Sequence, residues 1–477
     1  FYLTIVWYFR FTALIIRMHS QYQRNQNYSV NKFESMLKTK DLKFFDLCEF
    51  EEIVNHYIDI SDFTKTKKAI DLGLNQHPNS CELLILKAEH YILTNHYESA
   101  ELIIDDLLVV HPENEIIYQH KAVILSKKNL HQDAIEILKK GMRFCHNCSE
   151  FNSLIALEYL YLEEYFMAKE YFIKCLNKDK RDNHSLYNLI YCFESINDNL
   201  GAISFLNEYL NKNPYNEVAW HQIGRQYFEI KMYEQALVSF DYAIICDEKF
   251  VGAYFELAKT LEKLGRYNEA ISFYEITLSI DDPTSFAFHR IGECHLILGN
   301  DLLGLKYLKK TIHEDPLLEK GWISLCNYYL INKNYKEAIH YIKKALKIDD
   351  SNYFFLKIYS KAHKEMGLLE ESCIGYSKLY YNNNYDIKIC LEWVEVLLKL
   401  KDFRKGIEVL NELISKYPNN SKFQYFLAGF YMMISNNDEA SFFLKNAYSI
   451  SPTEIEVFYE VFPSSITNSL VKETLQF

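Results

Sequence analysis

The sequence predicts an all-α chain, a solenoid of stacked antiparallel helix pairs, on three observations. Glycine and proline are scarce, 14 and 8 among 477 residues, while 49% of the chain is hydrophobic. Such a chain can bury a core but holds few of the residues that turn strands or open long loops. A 34-residue period runs through it, clearest in EVAWHQIGRQYFEIKMYEQALVSFDYAIICDE, VGAYFELAKTLEKLGRYNEAISFYEITLSIDD and EKGWISLCNYYLINKNYKEAIHYIKKALKIDD. Each copy shows an aromatic residue, a small one four places later, then Tyr-x-x-Ala, which is the pattern of two helices that pack on one another.

One position fixes the register. Counting from Leu47 in steps of 34, the twentieth residue of successive units is Thr66, Ala100, Ala134, Ala168, Ala202, Ala236, Ala270, Gly304, Ala338, Ser372, Gly406 and Ala440. All are small, so residues 47–454 divide into twelve units with no insertion or deletion. A small side chain is needed where two antiparallel helices cross closely, since a larger one would push the backbones apart. Position 24 supplies the matching bulk, for example Phe172, Phe240, Tyr274 and Tyr376. Pro78, Pro112, Pro214, Pro316, Pro418 and Pro452 all stand at position 32, where a second helix must stop.

The flanks are read in the same terms. Residues 1–17, FYLTIVWYFRFTALIIR, are apolar, but the run is short for a membrane span and carries Arg10 in its middle. It also lacks the basic start and small-residue cleavage site of a signal peptide, and the favoured reading places it upstream of a true start at Met18. Residues 18–46 form a polar arm and lead-in helix. Residues 455–477, with Ile455, Phe458, Val461 and Phe462 on one stripe, form a capping helix and tail that cover the last repeat.

Composition excludes several functions. A net charge of −12 argues against binding nucleic acid, which rests on clustered Lys and Arg. The 11 cysteines are scattered singly, as suits buried thiols in a reducing compartment better than a disulfide framework. The one close pair, Cys145 and Cys148 in RFCHNCSE, has no second pair to complete a zinc site, and His146 is misplaced for haem attachment. No metal or cofactor is assigned. Gly-rich phosphate loops, the Gly-x-Ser-x-Gly elbow and His-Glu-x-x-His are all missing, so no catalytic residue is assigned and the chain is read as a non-enzyme. Arg290 and Glu293, three apart on a helix, read as a surface ion pair.

The set Trp220, Ile223, Gly224, Tyr227, Ala236, Phe240 and Ala243 resembles the motif of the tetratricopeptide (TPR) repeat, departing at Glu248, where the motif has Pro. With its unbroken register and its tail, the chain is also similar to the long stand-alone TPR proteins of Bacteroidota. The resemblance implies a right-handed superhelix whose concave groove is lined by positions 2, 5, 9 and 12 of each first helix. Carried onto this chain, those positions name His221 and Arg225, then Phe255, Lys259 and Glu262, then Phe286, His289 and Glu293. Lys320 and Asn327 follow, then Phe354, Lys357, Lys361 and Lys364. Rings alternating with cations suit an acidic peptide, and a merely solvated helical face is the competing reading. The chaperone carboxylate clamp of some TPR domains is not supported, because Glu392 and Phe426 stand where it needs Asn and Arg. The expected function is a cytoplasmic protein-interaction scaffold. The alternative is a membrane-associated assembly factor anchored by residues 1–17.

Overall fold

The computed structural model describes residues 23–39, 42–145, 148–280, 284–382 and 386–475. The apolar segment 1–17, and with it the question of an anchor, lies outside the described residues. After a lead-in helix, Gln23–Thr39, first helices begin at Leu47, Cys81, Glu115, Ser149, Asn183, Glu217, Val251, Ser285, Glu319, Tyr353, Ile387 and Ser421. Each is followed by a second helix that starts sixteen residues later, from Phe63 through Asn437. The chain divides into two compact units, residues 1–247 and 248–477.

Every residue at position 20 is buried, and the side chains at position 24 are at most 1% exposed. The fit between small and large is tight. A Cβ added to Gly224 would come within 2.6 Å of the Phe240 ring, and one added to Gly292 within 3.0 Å of Leu308. Glycine at position 8 therefore makes room for the bulk at position 24.

Local chemistry sets where each helix starts and stops. Asp46 caps the first helix of repeat 1 and forms a reciprocal capping box with Glu49. Ser80, Asn114, Asp182, Asn216, Thr284, Asn352, Asp386 and Asn420 accept hydrogen bonds from backbone N–H groups at the same place in later repeats. The proline at position 32 ends the second helix, and its carbonyl then accepts a side-chain bond from the next repeat. Trp220 Nε1 donates to Pro214 O at 2.8 Å and Trp322 Nε1 to Pro316 O at 2.9 Å. Tyr118 and Gln424 do the same for Pro112 and Pro418. The aromatic residue at position 4 is thus both packing and a tie across the repeat junction.

Beyond sequential neighbours, the closer packing within each unit runs between first helices of successive repeats, such as Glu319–Ile331 against Tyr353–Glu365. Helices that touch along one side of a stack place that side on the inner radius. The first helices therefore form the inner face of each unit. At the C-terminal end, Phe458 and Phe462 are 1% and 5% exposed and cover Tyr425, Phe426 and Phe430 of the last repeat. Among the described residues, no helix is long and apolar enough to cross a membrane.

The cysteines depart from the reading of single buried thiols in one respect. Cys145 and Cys148 are joined as a disulfide, where the second helix of repeat 3 stops early at Gly141. The other described cysteines are free, and five of them are buried.

Candidate functional site

Of the candidates that the resemblance names at positions 2, 5, 9 and 12 of the first helices, those in unit 1 lie on repeat 6. His221 and Arg225 sit one turn apart on Glu217–Glu229. Burial, and then the charge of Arg225, push the His221 pKa down to about 4, so the ring is neutral near pH 7 and packs 5.8 Å from the ring of Phe240. Arg225 is turned toward the neighbouring repeat. Its Nη1 donates to Gln222 Oε1 at 3.2 Å, and its Nη2 lies 3.6 Å from Glu194 Oε1. Gln226 Nε2 donates to the same Glu194 oxygen at 2.8 Å. Gln222 and Gln226 are buried, so this network ties repeat 6 to repeat 5. Tyr187 and Tyr191, at positions 5 and 9 of repeat 5, are the exposed rings beside it.

In unit 2 the structure sorts the candidates into two groups. His289 is only 5% exposed, and its Nε2 lies 3.0 Å from Ser324 Oγ on the next first helix, which makes it a packing residue. Lys364 is also drawn inward, 14% exposed, with Nζ 2.7 Å from Glu395 Oε2. Lys259 pairs with Glu256 at 3.0 Å on its own helix. Glu262 is not a groove residue, because the Arg290 guanidinium holds its carboxylate and the Tyr274 hydroxyl donates to it at 2.6 Å. Arg290 therefore reaches back to Glu262 of the preceding repeat and does not form the surface pair with Glu293 that the spacing predicts. Burial raises the pKa of Tyr274, and the adjacent Glu262 raises it further, so the hydroxyl remains a donor.

The accessible remainder lies on repeats 8 to 10. Phe286 and Phe354 are each 50% exposed, and Lys320, Asn327 and Lys361 are exposed beside them. Lys357 is half-buried, with Nζ 5.5 Å from the Tyr353 ring. This array can offer apolar contact, cation and amide to an extended chain. Among the described residues, no cluster of His, Cys, Asp and Glu is arranged to hold a metal ion.

The partners that sequence reasoning missed are Glu194, Gln222, Gln226, Ser324 and Glu395. Each interaction that crosses to an adjacent repeat spans about one period, 32 residues for Gln226–Glu194, 35 for His289–Ser324 and 31 for Lys364–Glu395. A search for polar residues one repeat apart at facing positions could have found them.

A stack of antiparallel helix pairs with an inner face of first helices defines a helical-repeat protein. More specifically, the chain carries tetratricopeptide repeats, the family whose pattern matches residues 251–281, 320–352 and 392–420. It is similar to tetratricopeptide repeat protein 21B of Xenopus laevis, 24% identical over 251 residues, 46% of this chain and 18% of that protein. It is also similar to a TPR repeat-containing protein of Methanocaldococcus jannaschii, 24% identical over 296 residues, 56% of this chain and 50% of the other. Superkiller complex protein 3 of Mus musculus is 32% identical over 98 residues, 20% of this chain and 6% of its own length. The chain thus spans half or less of the length of these relatives. Among solved structures, the C-terminal part of a TPR repeat-containing protein from Cytophaga hutchinsonii aligns with a TM-score of 0.40 at 14% identity, covering 50% of this chain and 97% of the other.

Proposed function

We propose that this chain is a non-catalytic scaffold that holds a partner protein or peptide along the first-helix face of repeats 8 to 10. The observation that carries this reading is the group of half-exposed Phe286 and Phe354 with exposed Lys320, Asn327 and Lys361 on one face. Rings give contact area at low entropic cost, while lysine and asparagine pair with the carboxylates and backbone of an acidic segment. The names of two relatives support it, since one is a superkiller complex protein and another an anaphase-promoting complex subunit. The polar clusters elsewhere on the chain favour packing over chemistry, because the charges of Glu262 and Lys364 are neutralised by neighbours. The nine free described cysteines fit the cytoplasm and the Cys145–Cys148 disulfide fits an oxidising compartment, so trapping the thiol state of this pair in cells decides the placement.

The test combines Phe354→Ala with Lys361→Glu, two changes at accessible positions that leave the inter-repeat pairs intact. Partners captured by cross-linking in cells are compared between the native and variant chains, with helicity checked by circular dichroism. Loss of a captured partner at unchanged helicity is expected. Identical partners in identical yield would remove this face from the reading.

A further inference from the structure

The outer surface of unit 2 carries a second feature, which the first-helix face does not explain. Positions 22, 25 and 26 are three and four residues apart and so share one face of each second helix. In repeat 8, on Asp301–Glu314, they are Lys306, Lys309 and Lys310. In repeat 9, on Tyr335–Ala345, they are His340, Lys343 and Lys344. All six are exposed. No other repeat places cations at all three positions, in a chain whose net charge is −12.

Aromatic rings hold four of these cations, Lys309, Lys310, His340 and Lys344, in place. Lys309 Nζ and Lys344 Nζ lie 5.7 Å and 5.5 Å from the centroid of the same Tyr341 ring, so one ring on repeat 9 gathers a lysine from each of the two helices. Lys310 Nζ sits 3.9 Å over Phe288, and His340 stands edge-on to Tyr341 at 5.2 Å. Among the described residues, the ion pairs of this unit use other groups, such as Arg290 with Glu262 and Lys364 with Glu395, and none takes in these five lysines. A ring orders an ammonium without neutralising it, so the stems of Lys309, Lys310 and Lys344 are fixed while their charge stays available.

The edges of the patch indicate what it fits. Glu275 stands at position 25 of repeat 7 and is joined to the patch through Tyr307, whose hydroxyl donates to it at 3.4 Å. On the other side, repeat 10 keeps one cation at these positions, Lys378 beside Ile374 and Ser377, and repeat 11 then carries exposed Glu408 and Glu412 at positions 22 and 26. The basic area is therefore concentrated on two helices, tapers to the single Lys378 on the third, and ends within about 30 Å, at the usual spacing of packed helices, between the carboxylates of repeats 7 and 11. A bilayer or a nucleic-acid duplex extends past such a patch and meets those carboxylates. A short acidic segment ends inside it. Lysines without arginine also suit carboxylates spaced along a peptide, which need point charges more than a bidentate fork.

We propose that the second-helix face of repeats 8 and 9 docks an acidic segment of a partner polypeptide, independently of the first-helix face. The full chain is titrated with a fluorescein-labelled oligoglutamate peptide, with vesicles rich in phosphatidylserine and with a short DNA duplex. These titrations are repeated on a variant combining Lys306→Glu, Lys310→Glu, Lys343→Glu and Lys344→Glu. A matching Lys→Gln variant covers the case in which charge reversal impairs folding. The expected result is salt-sensitive peptide binding that weakens at least tenfold in the variant and is unchanged in Phe354→Ala/Lys361→Glu. The proposal is overturned if the native chain does not bind the peptide, or if the patch variant binds it as well as the native chain does. It is equally overturned if vesicles or duplex bind more tightly than the peptide and lose that binding in the patch variant. Failure of the first-helix reading shows instead as unchanged partners in the Phe354→Ala/Lys361→Glu chain, so the two ideas fail separately.

Discussion

Gly224 shows how little space a residue in this chain has. Its missing Cβ leaves the gap that the Phe240 ring fills, and Gly224→Ala would force that ring or the helix aside. Overpacking of this kind costs about 1–3 kcal/mol, a loss that urea unfolding of Gly224→Ala should show without loss of helix in the native baseline. Three residues away, His221 makes the opposite kind of prediction, about pH. Burial holds its folded pKa at about 4 against an ordinary 6.5, so the unfolded chain takes up the proton first. The stability this group contributes is whole above pH 6.5 and is lost as pH falls toward 4, by linkage on the order of 3 kcal/mol. His221→Gln should flatten the decline in unfolding free energy between pH 7 and pH 4.5, and equal slopes in the two proteins would show that the ring titrates normally. Arg290 completes the residue scale. Its guanidinium neutralises a mostly buried carboxylate, so Arg290→Met should destabilise the unit by about 3–5 kcal/mol, while Arg290→Met with Glu262→Gln recovers part of the loss.

Among the elements, the turn between the two helices of a repeat is the most regular and the least visible in the sequence. Position 15 is left-handed in every repeat: Ser61, Asn95, Asn129, Glu163, Asn197, Lys231, Lys333, Lys401 and Ser435 have φ between 56° and 64°, and Gly265, Gly299 and Gly367 between 76° and 78°. Only three of these residues are the glycine that the conformation favours. Asn95, Asn129 and Asn197 also tolerate it, so the closure of the helix pair overrides local preference at the remaining six turns. Glu163→Gly should raise the stability of unit 1 by up to about 1 kcal/mol, and Gly265→Ala should lower that of unit 2 by about 1 kcal/mol although nothing lies near the new methyl group. Thermal melts of the two variants check both signs. Position 20 was legible because only a small residue fits at a helix crossing. Position 15 was not, because a backbone angle leaves no single side chain as its mark.

Over the whole molecule, the repeats pass their load to one another and the last of them needs a cover. Phe462 fills the space above Gly429, where an added Cβ would lie 2.3 Å from its ring, and packs on Phe426 and Phe430. Replacing both Phe458 and Phe462 with Ala should unfold the end of the stack first, seen as faster amide exchange in Ser421–Met433 than in Val251–Lys263. The sequence by itself determined the all-α repeat fold. A period carried by small, bulky and proline positions depends only on which side chains can lie between two helices, and that requirement recurs every 34 residues. The tertiary structure decided which charges remained available to a partner. Lys364 and Lys361 lie three residues apart on one helix, yet one is neutralised by Glu395 and the other is exposed. An ion pair is settled by the distance between two side chains on adjacent repeats, and that distance follows from how the helices pack and not from the spacing along either one.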